Sequence, residues 1–185
     1  KAKGVFAENH PLSAGVRGKH TAYFIEKSDL ILSVGSSLSP GRFSHAVPNP
    51  SSKKIIICGL NELHINKIYP TTHAVLGDAE ITLRALTNEL RSKTSGQGIS
   101  NQDQVEKIEQ QRNEDKIIYQ EAMNSSDMPV NPYRVYSDMM KVLDPNNSFV
   151  THESGNTRDQ LSTVYETVIP RGFLGWGNVS SLGFS

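Results

Sequence analysis

The chain has 185 residues, and its 19 Lys and Arg residues equal its 19 Asp and Glu residues, so the formal net charge at pH 7 is zero. This balance argues against a binder of nucleic acids or anionic membranes, because such proteins carry an excess of basic residues. The sequence contains no run of about 18 apolar residues, so we expect no membrane span. The one cysteine, Cys58, cannot form a disulfide within the chain, which favours a reducing, cytoplasmic setting.

The first half of the chain alternates between predicted strands and helices after a glycine-containing loop at residues 1–20. The predicted elements are a helix at 21–27, strands at 30–34 and 53–58, a helix at 62–69, a strand at 73–76 and a helix at 79–91. Asn61 and Asp78 are placed to cap the two later helices. This order predicts a doubly wound α/β fold with a parallel sheet. With about three strands the sheet is too small to bury both faces, so we expect earlier strands to be missing from this sequence.

The second half begins with a polar, glycine-containing segment at 92–101, which is the predicted linker. A highly charged helix follows at 103–123. Asn131 and Pro132 then predict the start of another helix at 133–143. Apolar residues at roughly helical spacing support these helix predictions. They are Ile81, Leu83, Leu86 and Leu90 in the helix at 79–91, and Val105, Ile108, Ile117 and Ile118 as a thin stripe in the charged helix. In the helix at 133–143, Val135, Met139, Val142 and Leu143 are the predicted inward face.

Two segments near the C-terminal end are predicted to form a ligand site. A short apolar strand at 148–151 leads into Glu-Ser-Gly-Asn-Thr at 153–157, before a helix predicted at 158–165. In an open α/β sheet, ligands lie outside the carboxyl ends of the strands, where helix N-termini and free backbone N–H groups meet phosphates. A glycine-rich segment with an aromatic neighbour follows at 173–185, which indicates backbone brought close to a ligand. These segments are the predicted walls of a cofactor site.

Other motifs give little indication of chemistry. The loop at 34–41 follows a strand but lacks the Gly-x-Gly-x-x-Gly fingerprint, so we interpret it as an ordinary turn. Neither metal-binding histidine spacing nor a Gly-x-Ser-x-Gly motif is present, so we predict no metal ligand and no catalytic nucleophile in the chain. His152, at a strand end near the predicted ligand, is a candidate to touch it. The remaining histidines are interpreted as surface or loop residues, namely His10, His20, His45, His64 and His73.

The chain resembles the thiamine-diphosphate-dependent enzymes of the acetohydroxyacid synthase, oxalyl-CoA decarboxylase and pyruvate decarboxylase group. Six segments in the same order carry this resemblance over nearly the whole chain. Three are similar to parts of that family's central domain, at 4–15, 28–35 and 77–79, and three to the opening of its pyrophosphate-binding domain, at 132–150, 153–157 and 175–185. The resemblance implies the C-terminal part of a central Rossmann-like domain at 1–91, a linker with a charged helix at 92–128, and the N-terminal part of a thiamine-diphosphate-binding domain at 129–185.

The resemblance also implies roles for individual residues. The residues at 155–157 would approach the diphosphate or pyrimidine side of the cofactor through short side chains and backbone N–H groups. Leu182 would be the apolar fulcrum that holds the cofactor bent, and the Ser180 carbonyl would accept a hydrogen bond from its aminopyrimidine. The cofactor carries the chemistry, and the protein orients it. The implied cofactor-binding residues are Glu153, Gly155, Asn156, Thr157, Ser180, Ser181 and Leu182.

Several parts of that family's active site fall outside this sequence. The glutamate that activates the aminopyrimidine belongs to an N-terminal domain, and the Gly-Asp-Gly segment of the magnesium site would lie beyond Ser185. Since the sequence begins at Lys1 without methionine and stops where a helix should start, we expect a fragment that is inactive alone. Flavin- or ADP-binding relatives carry acidic residues where this chain has Cys58-Gly59-Leu60, which argues against such a nucleotide.

The implied parent is an enzyme that makes or breaks a carbon–carbon bond next to a carbonyl of a small-molecule substrate such as a 2-oxo acid. The implied cofactors are thiamine diphosphate and Mg²⁺, and the implied assembly is a homodimer or homotetramer. The alternative is a non-catalytic module that binds NAD or FAD or has a regulatory role. It stays open because the central domain of the family shares its general shape with nucleotide-binding domains.

Overall fold

The structure is a computed structural model that describes residues 2–41, 46–96, 101–175 and 182–183. Within these ranges the chain is α/β with parallel sheets, as predicted. The chain divides into two compact units. The sheet unit is Tyr23–Asn101, and the mixed unit joins Lys1–Ala22 to Gln102–Ser185. The domain boundaries implied by the resemblance do not coincide with these units, and they stay a prediction.

Three parallel strands form the centre of the sheet unit. They are β1 (Leu30–Val34), β2 (Lys54–Gly59) and β3 (His73–Leu76), in the order β1-β2-β3, and each lies within one residue of the predicted strand. Ile55 and Ile57 of the central strand are buried, with Val47 beside them. The continuous apolar run in β2 is explained by this central position, because both of its edges and its packed face are shielded.

Helix α1 (Lys19–Lys27) precedes β1 and confirms the predicted helix. The buried Lys53, directly before β2, pairs with backbone carbonyl groups at the C-terminal end of α1. Its Nζ donates to the carbonyl oxygens of Glu26 at 2.7 Å and Ser28 at 2.5 Å. A cation there pairs with carbonyls that lack intrahelical partners and interacts favourably with the helix dipole. This contact ties the end of α1 to the start of β2.

Helix α2 (Ala79–Lys93) begins at its predicted cap. Asp78 Oδ1 accepts hydrogen bonds from the backbone N–H groups of Glu80 and Ile81, which satisfies two of the free donors at the helix start. α2 contains no buried residue, and its apolar side chains are half-buried or exposed. The apolar spacing therefore predicted the helix correctly, although these side chains are not buried in this structure.

The prediction of a helix over residues 62–69 is wrong. Asn61 does cap a helical turn, accepting from the Leu63 N–H at 3.0 Å, but that turn is a 3-10 helix of three residues, Glu62–His64. Asn66 then adopts a left-handed conformation with φ of 54°. Its Oδ1 accepts from the Thr71 N–H at 2.7 Å, while its own N–H donates to Thr71 Oγ1 at 3.0 Å. This reciprocal side-chain pairing closes a loop instead of extending the helix.

The mixed unit combines helices with a two-stranded parallel sheet. Its elements in chain order are α3 (Gln102–Met123), α4 (Pro132–Val142), β4 (Val150–Thr151), α5 (Asn156–Val164) and β5 (Phe173–Leu174). The predicted helices are confirmed, although α5 starts two residues before its predicted bound, at Asn156. The strand predicted at 148–151 is confirmed over its second half. The core of this unit contains the buried residues Tyr136, Val150, Leu161, Tyr165 and Phe173.

The apolar residues of α3 and α4 differ in burial. Along α3, Ile108 is 7% exposed whereas Ile117 is 67% exposed, because residues nine positions apart project from opposite sides of a helix with about 3.6 residues per turn. Along α4, the predicted inward face is confirmed in part: Met139 and Leu143 pack against the core, whereas Val135 and Val142 are exposed. The buried residue of this helix is Tyr136 instead.

Candidate functional site

The predicted cofactor turn connects β4 to α5, and Glu153 organises it. The Glu153 carbonyl oxygen accepts from Thr157 Oγ1 at 3.1 Å and from His152 Nδ1 at 3.0 Å. Its carboxylate accepts from two backbone N–H groups, Ser154 at Oε1 and Gly183 at Oε2, both at 2.9 Å. The turn and the C-terminal segment, predicted from sequence as the walls of one site, are thus joined directly through Gly183.

The N-terminal end of α5 has the properties of an anion site. Gly155 precedes the helix with φ of 103°, and no described atom lies within 4 Å of the position that a Cβ would occupy. Gly155, Asn156 and Thr157 are all exposed. Backbone N–H groups at the start of a helix lack intrahelical acceptors and favour a phosphate oxygen. These three residues therefore fit the diphosphate end of the implied cofactor.

The C-terminal segment places an apolar side chain beside this turn. Leu182 is 78% exposed, and Gly183, which follows it, donates its N–H to Glu153. A large apolar side chain left exposed next to a polar turn fits a residue that packs against a ligand. Ser180 and Ser181, the other predicted residues of this segment, lie outside the described residues. The structure thus brings Leu182 and Gly183 close to the turn at 153–157.

His152 lies next to the turn but is 4% exposed. Its Nδ1 donates to the Glu153 carbonyl, and its ring centroid lies 5.5 Å from that of Phe173. The position that a Cβ would take at Gly175 lies only 3.1 Å from His152 Nε2, so the glycine leaves room for the imidazole. His152 therefore packs under the turn, and its prediction as a ligand contact does not agree with this buried position.

The first turn of α1 holds a hydrogen-bonded pair that the sequence did not predict. His20 Nδ1 lies 2.5 Å from Asp115 Oδ2 in the middle of α3, and the His20 backbone N–H donates to the same oxygen at 3.2 Å. Gly18 has φ of 108° and approaches Asp115 Oδ2 so closely that a Cβ would lie 2.5 Å away. His20 is therefore a partly buried helix residue and not the surface or loop residue that the sequence suggested.

Two charge pairs involve the N-terminal loop, residues 2–18, and this loop contacts the segment from α5 to residue 167. Arg17 Nη1 lies 3.0 Å from Asp159 Oδ1 in the first turns of α5. Lys3 Nζ and Glu8 Oε2 are 2.5 Å apart, with side chains that are 7% and 8% exposed, and the same Glu8 oxygen accepts from the Thr167 N–H at 2.8 Å. Burial lowers the pKa of the Lys3 amine, and the Glu8 carboxylate opposes this shift.

A cleft of about 110 Å³ lies among these pairs within the mixed unit. Its wall carries charged side chains from the loop and from α3, together with apolar groups such as Tyr119 and Met123. The sequence did not predict this cleft. Asp115 follows Ile108 by about two helical turns, which places both on one face of α3. The position of Asp115 on the same helix face as Ile108 was the sequence feature that could have predicted a buried carboxylate.

In the described ranges no three His, Cys, Asp or Glu side chains are grouped so as to hold a metal ion. None of the described helices combines the length and the apolar character required to cross a bilayer.

The geometry defines a strand, turn and helix whose N-terminal end can receive a phosphate group beside an exposed leucine. Residues 1–86 match the family profile described as "Thiamine pyrophosphate enzyme, central domain". Over 98% of its length the chain is 26% identical to a probable acetolactate synthase large subunit of Methanococcus aeolicus, covering 32% of that protein. It is 27% identical to the probable acetolactate synthase large subunit of Methanocaldococcus jannaschii, again over 98% of the chain and covering 31% of that protein.

A second type of relative is 2-hydroxyacyl-CoA lyase 1 of Mus musculus, which is 26% identical over 98% of this chain, covering 30% of that protein. The chain therefore spans about a third of the length of the curated relatives that it matches. The profile matches 86 of the 185 residues and the relatives are 26–27% identical, so the chain is similar to thiamine pyrophosphate enzymes. This agrees with the resemblance found in the sequence.

Proposed function

We propose that the protein containing this chain is a thiamine-diphosphate-dependent enzyme that makes or breaks a carbon–carbon bond next to a carbonyl. The observation that carries the proposal is the hydrogen bond from the Gly183 N–H to Glu153 Oε2, at 2.9 Å. It joins the turn at the start of α5 to the segment with the exposed Leu182, and these two segments are the implied cofactor walls. The similarity to the thiamine pyrophosphate enzyme profile and to these relatives supports the proposal independently.

The chain's own residues would bind and orient the cofactor. The backbone N–H groups at 155–157 would hold diphosphate oxygens at the positive end of α5. Gly155 would allow close approach, since its missing side chain leaves open space on that side. Leu182 would pack against the rings of the cofactor, with Ser180 and Ser181 next to it in the sequence. When bound, thiamine diphosphate supplies a carbon centre that adds to a carbonyl and stabilises the resulting negative charge.

The finer parts of the proposal concern the whole protein. We expect a 2-oxo acid or a similar small molecule as substrate, Mg²⁺ as a second cofactor with ligands outside these 185 residues, and a homodimer or homotetramer in the cytoplasm. We also expect the 185 residues alone to be inactive, because the activating glutamate and the metal motif of the family are implied to lie elsewhere. Relatives with the names of a synthase and of a lyase support both bond formation and bond cleavage as candidates.

A thermal-shift titration of the full-length protein tests the proposed function. Thiamine diphosphate with Mg²⁺ should raise the melting temperature, since a ligand at about 100 times its Kd stabilises the folded state by about 2.7 kcal/mol. NAD and FAD serve as comparison ligands at the same concentrations. Stabilisation by NAD or FAD without any by thiamine diphosphate would contradict the proposal and favour a nucleotide-binding module.

A further inference from the structure

The Glu153 side chain is engaged by two segments of the chain that are distant in sequence. Oε1 accepts from the N–H of Ser154, within the turn, and Oε2 accepts from the N–H of Gly183, 30 positions along the chain. Both carboxylate oxygens are therefore directed at protein donors. A carboxylate that accepts backbone N–H groups forms charge-assisted hydrogen bonds, which are stronger than neutral ones.

A direct contact between Glu153 and the diphosphate is chemically unfavourable. An ionised carboxylate can only accept hydrogen bonds, and the diphosphate oxygens are acceptors that also carry negative charge. Placed together, the two anions would repel each other and would compete for the same N–H groups at the start of α5. The sequence resemblance placed Glu153 among the cofactor-binding residues, and its hydrogen bonds to Ser154 and Gly183 favour an indirect role there.

We propose that Glu153 is a positioning residue that fixes Leu182 relative to the N-terminal end of α5. This inference rests on the proposed function. Gly183 has φ of 83°, and its N–H donates to Glu153 Oε2 at 2.9 Å, so this hydrogen bond joins its backbone directly to the turn. Leu182 is the residue directly before it. Holding the Gly183 N–H therefore determines how Leu182 meets the cofactor rings.

The Glu153→Gln variant of the full-length protein separates positioning from ligand binding. Glutamine keeps one acceptor oxygen and carries no charge, so the Gly183 N–H either loses its partner or keeps a weaker, neutral hydrogen bond. The matched control is Glu109→Gln, which removes the same charge at an exposed position of α3. Three quantities are measured: hydrogen exchange of the Gly183 amide without cofactor, the Kd for thiamine diphosphate with Mg²⁺, and deuterium exchange of the thiazolium C2 proton of the bound cofactor.

In Glu153→Gln we expect the Gly183 amide to exchange about tenfold faster, which corresponds to the loss of one charge-assisted hydrogen bond. The Kd should stay the same or fall, because a negative charge near the diphosphate has been removed, while exchange of the C2 proton should slow by about tenfold as Leu182 loses its position. Glu109→Gln should change none of the three.

Two results would overturn the positioning role. One is a raised Kd with unchanged Gly183 exchange, since that is the behaviour of a direct ligand. The other is faster Gly183 exchange with unaltered C2 exchange, since the contact would then be structural only. A wild-type protein that does not bind thiamine diphosphate would overturn the proposed function itself, and the Gly183 measurement, made without cofactor, distinguishes that failure from loss of the hydrogen bond.

Discussion

At the scale of single residues, glycines with positive φ have two different environments. Gly155 and Gly35 have φ of 103° and 67°, and for both no described atom lies within 4 Å of a Cβ position. Gly18 also has positive φ, but a Cβ there would collide with Asp115. The first two glycines therefore share positive φ and open space at the Cβ position, so Gly35 can serve as a control for Gly155.

Replacing Gly155 by alanine should weaken cofactor binding, while replacing Gly35 should not. Both substitutions impose a strained conformation, so each should lower the free energy of unfolding by about 1–2 kcal/mol. Only Gly155→Ala places a methyl group where the diphosphate would approach, so its Kd for thiamine diphosphate should rise by about tenfold or more. Calorimetric titration of both full-length variants measures this, and equal effects on Kd would contradict the assigned site.

The buried Lys3 and Glu8 pair should respond strongly to neutralisation of one partner. Glu8→Gln leaves the Lys3 ammonium buried without its counter-charge, which should cost up to about 3–5 kcal/mol of unfolding free energy. Adding Lys3→Met removes the buried charge as well and should restore much of the loss. Urea unfolding of the single and double variants measures both steps, and a single variant as stable as the wild type would show that the pair is not significant.

The pH dependence of this variant follows from the direction of the Lys3 shift. Burial lowers the pKa of Lys3 in the folded protein below 10.5, its unfolded value. Between the two pKa values the unfolded chain binds more protons than the folded chain, so folding becomes more favourable as pH rises. The deficit of Glu8→Gln should therefore shrink as the pH approaches 10.5. A deficit that grows with pH would contradict burial as the cause.

At the scale of elements, α3 has one buried face and one exposed face, and an isoleucine lies on each. Ile108 is 7% exposed and Ile117 is 67% exposed on the same helix. Ile108→Ala should therefore lower the free energy of unfolding by about 2–4 kcal/mol, whereas Ile117→Ala should change it by about 0.5 kcal/mol or less. Denaturant titrations of the two variants provide the comparison. Similar losses for both would place the buried face of α3 elsewhere.

Local signals predicted most of these elements, and long-range contacts account for the errors. Asp78 and Asn131 cap the helices expected of them, since a cap depends on only a few neighbouring residues. His20 was interpreted as a surface or loop residue. Its partner Asp115 is 95 positions away in the sequence, and no local sequence pattern can predict a contact over that separation. The extended helix after Asn61 failed for a related reason, since the pairing of Asn66 with Thr71 competes with helix formation.

The local part of the candidate site could be predicted from the sequence, whereas its long-range contact could not. The strand, turn and helix at 150–164 are a local motif with a glycine at the point where the backbone needs positive φ. The proximity of Gly183 came from the family resemblance alone, because nothing in the spacing of Glu153 and Gly183 predicts a hydrogen bond. The proposed positioning role of Glu153 depends on its two hydrogen bonds, from the N–H groups of Ser154 and Gly183, which only the structure shows.

At the scale of the whole molecule, the chain contains two compact units and spans about a third of its curated relatives. The residues proposed to hold the cofactor all belong to the mixed unit, while the profile of the family's central domain covers residues 1–86. Activity, substrate choice and assembly are therefore properties to be measured on the full-length protein.

The central claim is that the start of α5 and the Leu182–Gly183 backbone face one thiamine diphosphate molecule. Amide hydrogen exchange of the full-length protein, with and without thiamine diphosphate and Mg²⁺, tests it most directly. We predict slower exchange at the amides of residues 155–157 and at Leu182 when the cofactor is present. Protection at the loop after β1, around Gly35, with no change at residues 155–157 would contradict the account.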